Sequence, residues 1–244
     1  GLPLHKTFSD SGKYDLELNR TQNWRCNPVS GSTIEFWLQI PAFDASKTER
    51  QVVLHLDNGV TPGAANGGSL VLEILRTSAN NGKFVLSMKD GTASPSGPLL
   101  QDVSDTITDA SFSEWHHYAL TIKNGSTGLD TTFYIDGSES KKVTNIGSSG
   151  LLEELPGLLN GYIGALQTTT PSSHGGAGRG KLSGSLDEFR YWKRARNSRQ
   201  IELNWFRQIG GGMNTDDDVQ DLGVYFKFNE GITGNNSTDS VVLD

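Results

Sequence analysis

The feature that most constrains the fold is the recurrence of apolar residues at every second position in many short segments. Ile34, Phe36, Leu38 and Ile40 alternate with more polar neighbours. Further segments with this pattern lie at residues 14–18, 52–56, 70–74, 84–88, 115–122, 132–135, 162–166 and 186–192. A period of two is that of a β-strand, whose successive side chains point to opposite faces. The pattern therefore predicts many short strands.

Turn-forming residues separate these segments. Asn80-Asn81-Gly82, Asp90-Gly91 and Asp136-Gly137 combine residues that tolerate positive φ and form tight hairpins. Many short strands joined by such turns are typical of two packed antiparallel sheets. We predict an all-β fold, a two-sheet antiparallel β-sandwich.

One segment has the helical period instead. Ile201, Trp205 and Ile209 are spaced by four, Ser198 precedes them as an N-cap, and three glycines follow at 210–212. This arrangement predicts one short amphipathic helix near residues 198–209. We expect it to close one end of the sandwich.

Length and charge exclude several classes of protein. The 244 residues suit a single sandwich domain over 1–244, and 21 basic against 28 acidic residues give a net charge of −7. Without a basic stripe, nucleic acid is not expected as a partner. No apolar run approaches the ~20 residues that span a bilayer, so membrane insertion is not expected either. The chain begins at Gly1 and stops on an apolar run, which predicts flanking domains in a longer parent protein.

Five segments, in order, resemble the laminin-G-like, pentraxin-like branch of the concanavalin A-like lectin/glucanase superfamily. They read STIEFWLQI at 32–40, WHHYALTIK at 115–123, FYIDG at 133–137, NGYIGA at 160–165 and GSLDEFRYWKRA at 184–195. The resemblance covers about residues 32–205 and implies a jelly-roll sandwich. Trp115 and the aromatic residues of 189–192 are expected to fill the space between the sheets.

The C-terminal region, 213–244, allows two interpretations. Residues 222–231 resemble the strand that usually opens this family's domain, yet here they come last. Residues 222–228 either close this sandwich or open a following repeat, and we expect closure. This tail also resembles repeats in large structural proteins of tailed bacteriophages, which implies a virion or an extracellular surface as the location.

Catalysis is not expected. The superfamily's retaining glucanases carry Glu-x-Asp-x-x-Glu, and their chemistry needs two carboxylates about 5–5.5 Å apart. The chain lacks this motif, and strand alternation predicts that Asp187 and Glu188 face opposite sides. A divergent glycoside hydrolase remains a remote alternative.

The resemblance implies calcium as a cofactor. It places Asp187 at a calcium-binding position, and Asp10 would replace the family's early acidic pair, which is Gly12-Lys13 here. Calcium takes six to eight oxygen ligands, many of them backbone carbonyls, so it leaves little trace in a sequence.

The sequence thus predicts a non-catalytic binding module that recognises a carbohydrate or another surface ligand, a glycan or a protein, within a larger protein. Trp24, Trp37 and Tyr162 are candidate sugar-stacking rings, although burial in the core is the simpler account of each. The alternative is a structural or decoration domain of a phage virion or surface fibre, with no small ligand.

Overall fold

The computed structural model describes residues 23–41, 50–60, 66–78, 80–90, 99–147, 150–166, 180–210 and 221–228. The first strands in chain order are β1 (Ser32–Gln39), β2 (Gln51–Asp57), β3 (Gly68–Ser78), β4 (Asn81–Asp90), β5 (Leu99–Asp102) and β6 (Ile107–Thr108). They are followed by β7 (His116–Asn124), β8 (Leu129–Ile135), β9 (Ser138–Ile146), β10 (Asn160–Ile163), β11 (Ser185–Trp192) and β12 (Leu222–Phe226). The helices of these ranges are α1 (Asp109–Phe112) and α2 (Ser198–Asn204).

The strands form two antiparallel sheets, as the period-two pattern predicted. Sheet A has the order β12-β11-β1-β7-β8-β9, and sheet B has the order β10-β2-β3-β4-β5, with β6 paired to β4. Strands distant in sequence are neighbours, since β1 lies between β7 and β11. The C-terminal strand β12 pairs antiparallel with β11 at the edge of sheet A.

The core fills the space between the two sheets. The ring of Phe84 on sheet B lies 5.0 Å from those of Tyr118 and Phe133 on sheet A, and Phe36 packs on the same group. All four side chains are fully buried. Burying each large apolar side chain contributes roughly 1.5–3 kcal/mol, so this aromatic group is a main source of stability.

The turn at Asp136-Gly137 joins β8 to β9 as the sequence predicted. Asp136 has a φ of 48° and Gly137 a φ of 77°, the geometry of a two-residue hairpin that matches strand twist. The Asp136 carboxylate also accepts a hydrogen bond from the backbone of His117 at 2.9 Å and lies 2.7 Å from Nδ1 of His116. The turn is thereby fixed to the start of β7.

Helix α2 differs from its prediction in length and position. Its N-cap is Asn197 rather than Ser198, and it ends at Asn204, five residues before the predicted end. Ile201 packs with Ala119 and Tyr134, which project from the face of sheet A that is turned away from the core. We call this face the outer face. The helix covers the outer face and does not close an end of the sandwich, because its apolar side chain meets Ala119 and Tyr134 there.

Neither of the two helices in the described ranges has the length and apolar character needed to cross a membrane.

Candidate ligand-binding cleft

A β-bulge in β11 determines which side chains reach the outer face. Pairing with β1 shifts at one point, so that Glu188 and Phe189 both lie opposite Phe36. Glu188 has a φ of 48°, which accommodates the extra residue. Asp187 and Glu188 therefore both project from the outer face, while Phe189 returns to the core. The expectation that Asp187 and Glu188 face opposite sides is wrong, because simple alternation takes no account of the bulge.

An open cleft of about 430 Å³ lies on the outer face at this point. Its aromatic lining, which we call the aromatic wall, consists of Trp37, Trp115 and Phe206. Its polar lining, which we call the polar wall, consists of Asp187, Glu188, Arg190, Arg207 and Gln208. We call this space the cleft. It combines rings with hydrogen-bonding groups, the usual composition of a small-ligand site.

The aromatic wall is partly accessible to solvent. Trp115 is 42% exposed and Phe206 is 58% exposed, so the prediction that Trp115 fills the space between the sheets is wrong. Trp115 precedes the first residue of β7 and lines the cleft on the opposite side of the sheet from the core. Trp37 is half-buried, with its ring centroid 5.6 Å from that of Trp205 and 5.8 Å from that of His117. These two rings fix the position of the Trp37 side chain.

Glu188 connects three parts of the chain. Its Oε2 accepts a hydrogen bond from Arg190 Nη2 at 2.9 Å and another from the Tyr225 hydroxyl on β12, and its Oε1 accepts one from Gln208 Nε2 at 3.0 Å. Burial and the bond to Glu188 raise the pKa of Tyr225 to about 12, so the phenol keeps the proton that it donates. Both carboxylate oxygens of Glu188 are therefore engaged.

The cleft shares Glu188 and Arg190 with a group of charged side chains that we call the buried charge cluster: Glu35, Glu188, Arg190 and Arg196. Arg190 Nη1 is 3.8 Å from Glu35 Oε2, and Arg196 Nε is 3.4 Å from Glu35 Oε1. His117 Nε2 also lies 3.4 Å from Glu35 Oε2. Two guanidinium groups thus face two carboxylates, so the charges of the cluster balance.

Arg190 also holds the chain that follows α2. Its Nη1 donates to the carbonyl of Asn204 at 3.3 Å, and its Nη2 donates to the carbonyl of Arg207. These bonds fix the backbone on both sides of Phe206. Arg190 therefore positions one part of the aromatic wall.

Asp187 is the carboxylate in the cleft that remains available. Its Oδ1 accepts a hydrogen bond from the backbone of Glu188 at 2.9 Å. Within the described ranges it forms no ion pair and no other hydrogen bond. Partial burial raises the pKa of Asp187, and the nearby charge of Glu188 acts in the same direction.

The structure describes only one of the two residues on which the calcium prediction rests. Asp187 lies in the cleft, and Asp10 lies outside the described residues. The described residues contain no group of three or more His, Cys, Asp and Glu side chains suited to a metal ion. Since Glu188 is engaged, they offer one available carboxylate here, whereas calcium takes six to eight oxygen ligands. The part of the site that the structure describes does not by itself fit calcium, and the ion stays a prediction.

Sequence reasoning missed several residues of the cleft. The sequence predicts a helix through Phe206, Arg207 and Gln208, and it predicts opposite faces for Asp187 and Glu188. The consecutive acidic pair in the otherwise alternating segment 184–192 was the one available signal of the bulge.

Comparison with known proteins gives one family and several structures. A laminin-G-type family model, described as the concanavalin A-like lectin/glucanases superfamily, matches residues 10–202. No curated protein matches the sequence.

Solved structures with a similar fold include the native heptameric SAP-like pentraxin from Limulus polyphemus, with a TM-score of 0.46, 12% identity and coverage of 77% of this chain and 76% of that one. The CBM40 of Ruminococcus gnavus IT-sialidase, bound to α2,3-sialyllactose, has a TM-score of 0.43 and 9% identity, covering 80% and 90%. The binding domain of botulinum neurotoxin serotype G has a TM-score of 0.45 and 13% identity over 74% of this chain and 37% of that one. The family match over residues 10–202 shows that this chain belongs to the concanavalin A-like lectin/glucanases superfamily.

Proposed function

We propose that this chain is a carbohydrate-binding module and that its ligand lies in the cleft. The observation that carries the proposal is that two indole rings, Trp37 and Trp115, share one accessible space with the available carboxylate of Asp187. A pyranose has an apolar face that packs on aromatic rings and a rim of hydroxyls that need polar partners. The cleft offers both at once.

The dimensions and polar groups agree with a ligand of one or a few sugar units. Small-ligand sites usually occupy ~300–1,000 Å³, and the cleft has about 430 Å³. Asp187 accepts hydrogen bonds from hydroxyls, and the Arg207 guanidinium donates them. Membership of a superfamily that includes lectins is in keeping with this use.

The test is a glycan array followed by calorimetric titration of the glycans that bind. Replacing Trp115 with Ala should weaken binding by about thirtyfold, since truncating a central aromatic contact costs about 2 kcal/mol. Trp115 is 42% exposed and lies outside the core between the sheets, so the variant should fold. A matched control is Leu151→Ala, which truncates another exposed apolar side chain (53% exposed) that does not line the cleft.

Two results would contradict the proposal. If no glycan binds, the structural or decoration role in a virion or surface fibre becomes the better hypothesis. If the purified chain hydrolyses a glucan, and Glu188→Gln abolishes that activity, the protein is a divergent glycoside hydrolase.

A further inference from the structure

We infer that the cleft selects a cationic sugar, a hexosamine with a protonated amine, over neutral and acidic sugars. This inference rests on the proposed function and specifies its ligand class. It is carried by one carboxylate without an ion-pair partner among the described residues, that of Asp187, which lines the same cleft as two indole rings.

The first step is the charge balance around the cleft. Arg190 and Arg196 face Glu35 and Glu188 at distances of 2.9–3.8 Å, so the buried charge cluster is neutral by itself. Asp187 lies outside this balance, because it forms no ion pair within the described residues. The negative charge on the polar wall is therefore that of Asp187.

The second step concerns what this carboxylate lacks. Its one hydrogen bond among the described residues comes from a backbone amide, and its other oxygen is left for a ligand. Partial burial and the charge of Glu188 disfavour the charged form of Asp187 by more than its backbone hydrogen bond and the charge of Arg190 favour it, so its pKa is raised. A cation placed beside Asp187 would relieve this cost, whereas an anion would increase it.

The third step concerns the aromatic wall. The face of an indole ring attracts a cation, and this attraction grows as water is excluded. Trp37 and Trp115 line the same space as Asp187. An ammonium group near Asp187 is thus attracted by the carboxylate and by the rings, while a neutral hydroxyl gains much less from either.

Arg207 is the cation on the cleft wall that has to be weighed against this. Its guanidinium lies over the ring of Phe206, with Cζ 5.4 Å from the ring centroid, and the side chain is exposed. Water weakens the field of an exposed charge. Arg207 therefore does not replace a ligand cation beside Asp187.

The experiment compares three oligosaccharides of equal length by calorimetric titration: a glucosamine oligomer, its N-acetylated form and a glucose oligomer. Titrations are made at a pH at which the amine is protonated, with EGTA and then with calcium. We expect the glucosamine oligomer to bind at least tenfold more tightly than the other two. Added salt should reduce that advantage, since it depends on charge.

Two variants with the same change in net charge separate the role of Asp187 from a general electrostatic effect. Asp187→Asn should remove the tenfold preference, so that the glucosamine oligomer binds no more tightly than the two neutral oligomers. Asp105→Asn, at a 72% exposed side chain that pairs with Lys141 and does not line the cleft, should keep the preference.

The outcomes distinguish this inference from the proposed function. Equal binding of all three oligomers overturns the inference and leaves the carbohydrate-binding function intact, whereas binding of none overturns the function itself. A preference that appears only with calcium, and is lost with EGTA, also overturns the inference, because Asp187 would then serve a metal. Equally tight binding of a lysine-rich peptide would overturn the assignment of the ligand as a sugar.

Discussion

Glu35 and Arg190 lie directly opposite each other on neighbouring strands β1 and β11, and both are fully buried on the outer face of sheet A. Their closest charged atoms, Oε2 and Nη1, are 3.8 Å apart. Burial at this position is unusual for charged side chains, which are almost never fully buried unless paired. Arg190 of this pair also lines the cleft, so the stability of the domain and the shape of the cleft both depend on it.

Replacing Arg190 with Met should destabilise the domain by about 3–5 kcal/mol, because Glu188 would lose its cationic partner and Glu35 one of its two. The free energy of unfolding, measured by urea denaturation, tests this. The control Arg194→Met removes a guanidinium whose side chain is 61% exposed and should change stability by less than about 0.5 kcal/mol. Equal stabilities of the two variants would mean that the buried charge cluster contributes nothing to folding.

Two glycines with the same backbone conformation give a second prediction. Gly137 and Gly59 have φ values of +77° and +76°, but a Cβ on Gly137 would overlap the ring of Trp205, while a Cβ on Gly59 would meet nothing within 4 Å. Gly59→Ala should cost about 1–2 kcal/mol for the strained backbone alone. Gly137→Ala should cost a further ~1–3 kcal/mol, because Trp205 must move.

Gly137→Ala should also affect ligand binding, because the Trp205 ring that it displaces packs on Trp37. Thermal unfolding and glycan titration of both variants are the measurements. Gly137→Ala should weaken binding, and Gly59→Ala should not. If the two alanines have the same effect on binding, Trp205 does not support the aromatic wall.

The raised pKa of Asp187 leads to a predicted pH dependence of stability. Burial raises the pKa of Asp187 in the folded protein above its ordinary value, so the charged carboxylate disfavours folding at neutral pH. Asp187→Asn should therefore raise the melting temperature at pH 7. The difference should shrink as the pH falls through the raised pKa and vanish below the ordinary carboxyl value, where both side chains are neutral.

Melting curves of the wild type, Asp187→Asn and Asp105→Asn over this pH range test the sign of the change in melting temperature. The substitution at Asp105 changes net charge equally but lies outside the cleft, so it should not reproduce the effect. A lower melting temperature for Asp187→Asn at pH 7 would show that the carboxylate stabilises the fold.

Local patterns and long-range packing differed in how well the sequence predicted them. The sandwich and the Asp136-Gly137 hairpin follow from strand period and turn chemistry, which act over a few residues. The bulge at Glu188 could not be read from alternation, because it depends on how β11 pairs with β1. The position of α2 depends on the contact of Ile201 with Ala119 and Tyr134, which come from strands far away in the sequence. Since the cleft is formed by the bulge and by the chain after α2, it was the least predictable part.

Helix α2 gives a last prediction, because the residues that follow it, Phe206, Arg207 and Gln208, line the cleft. Asn197 Oδ1 accepts a hydrogen bond from the backbone of Gln200 at 2.9 Å, and Gln200 Oε1 accepts one from the backbone of Asn197 at 3.0 Å. Asn197→Ala removes the first of these bonds and should cost about 1 kcal/mol, while Asn197→Asp keeps an acceptor and should stay within a few tenths. Urea denaturation measures both variants. If alanine and aspartate are equally stable, the capping box does not hold α2 on the outer face, and its contact through Ile201 must be sufficient.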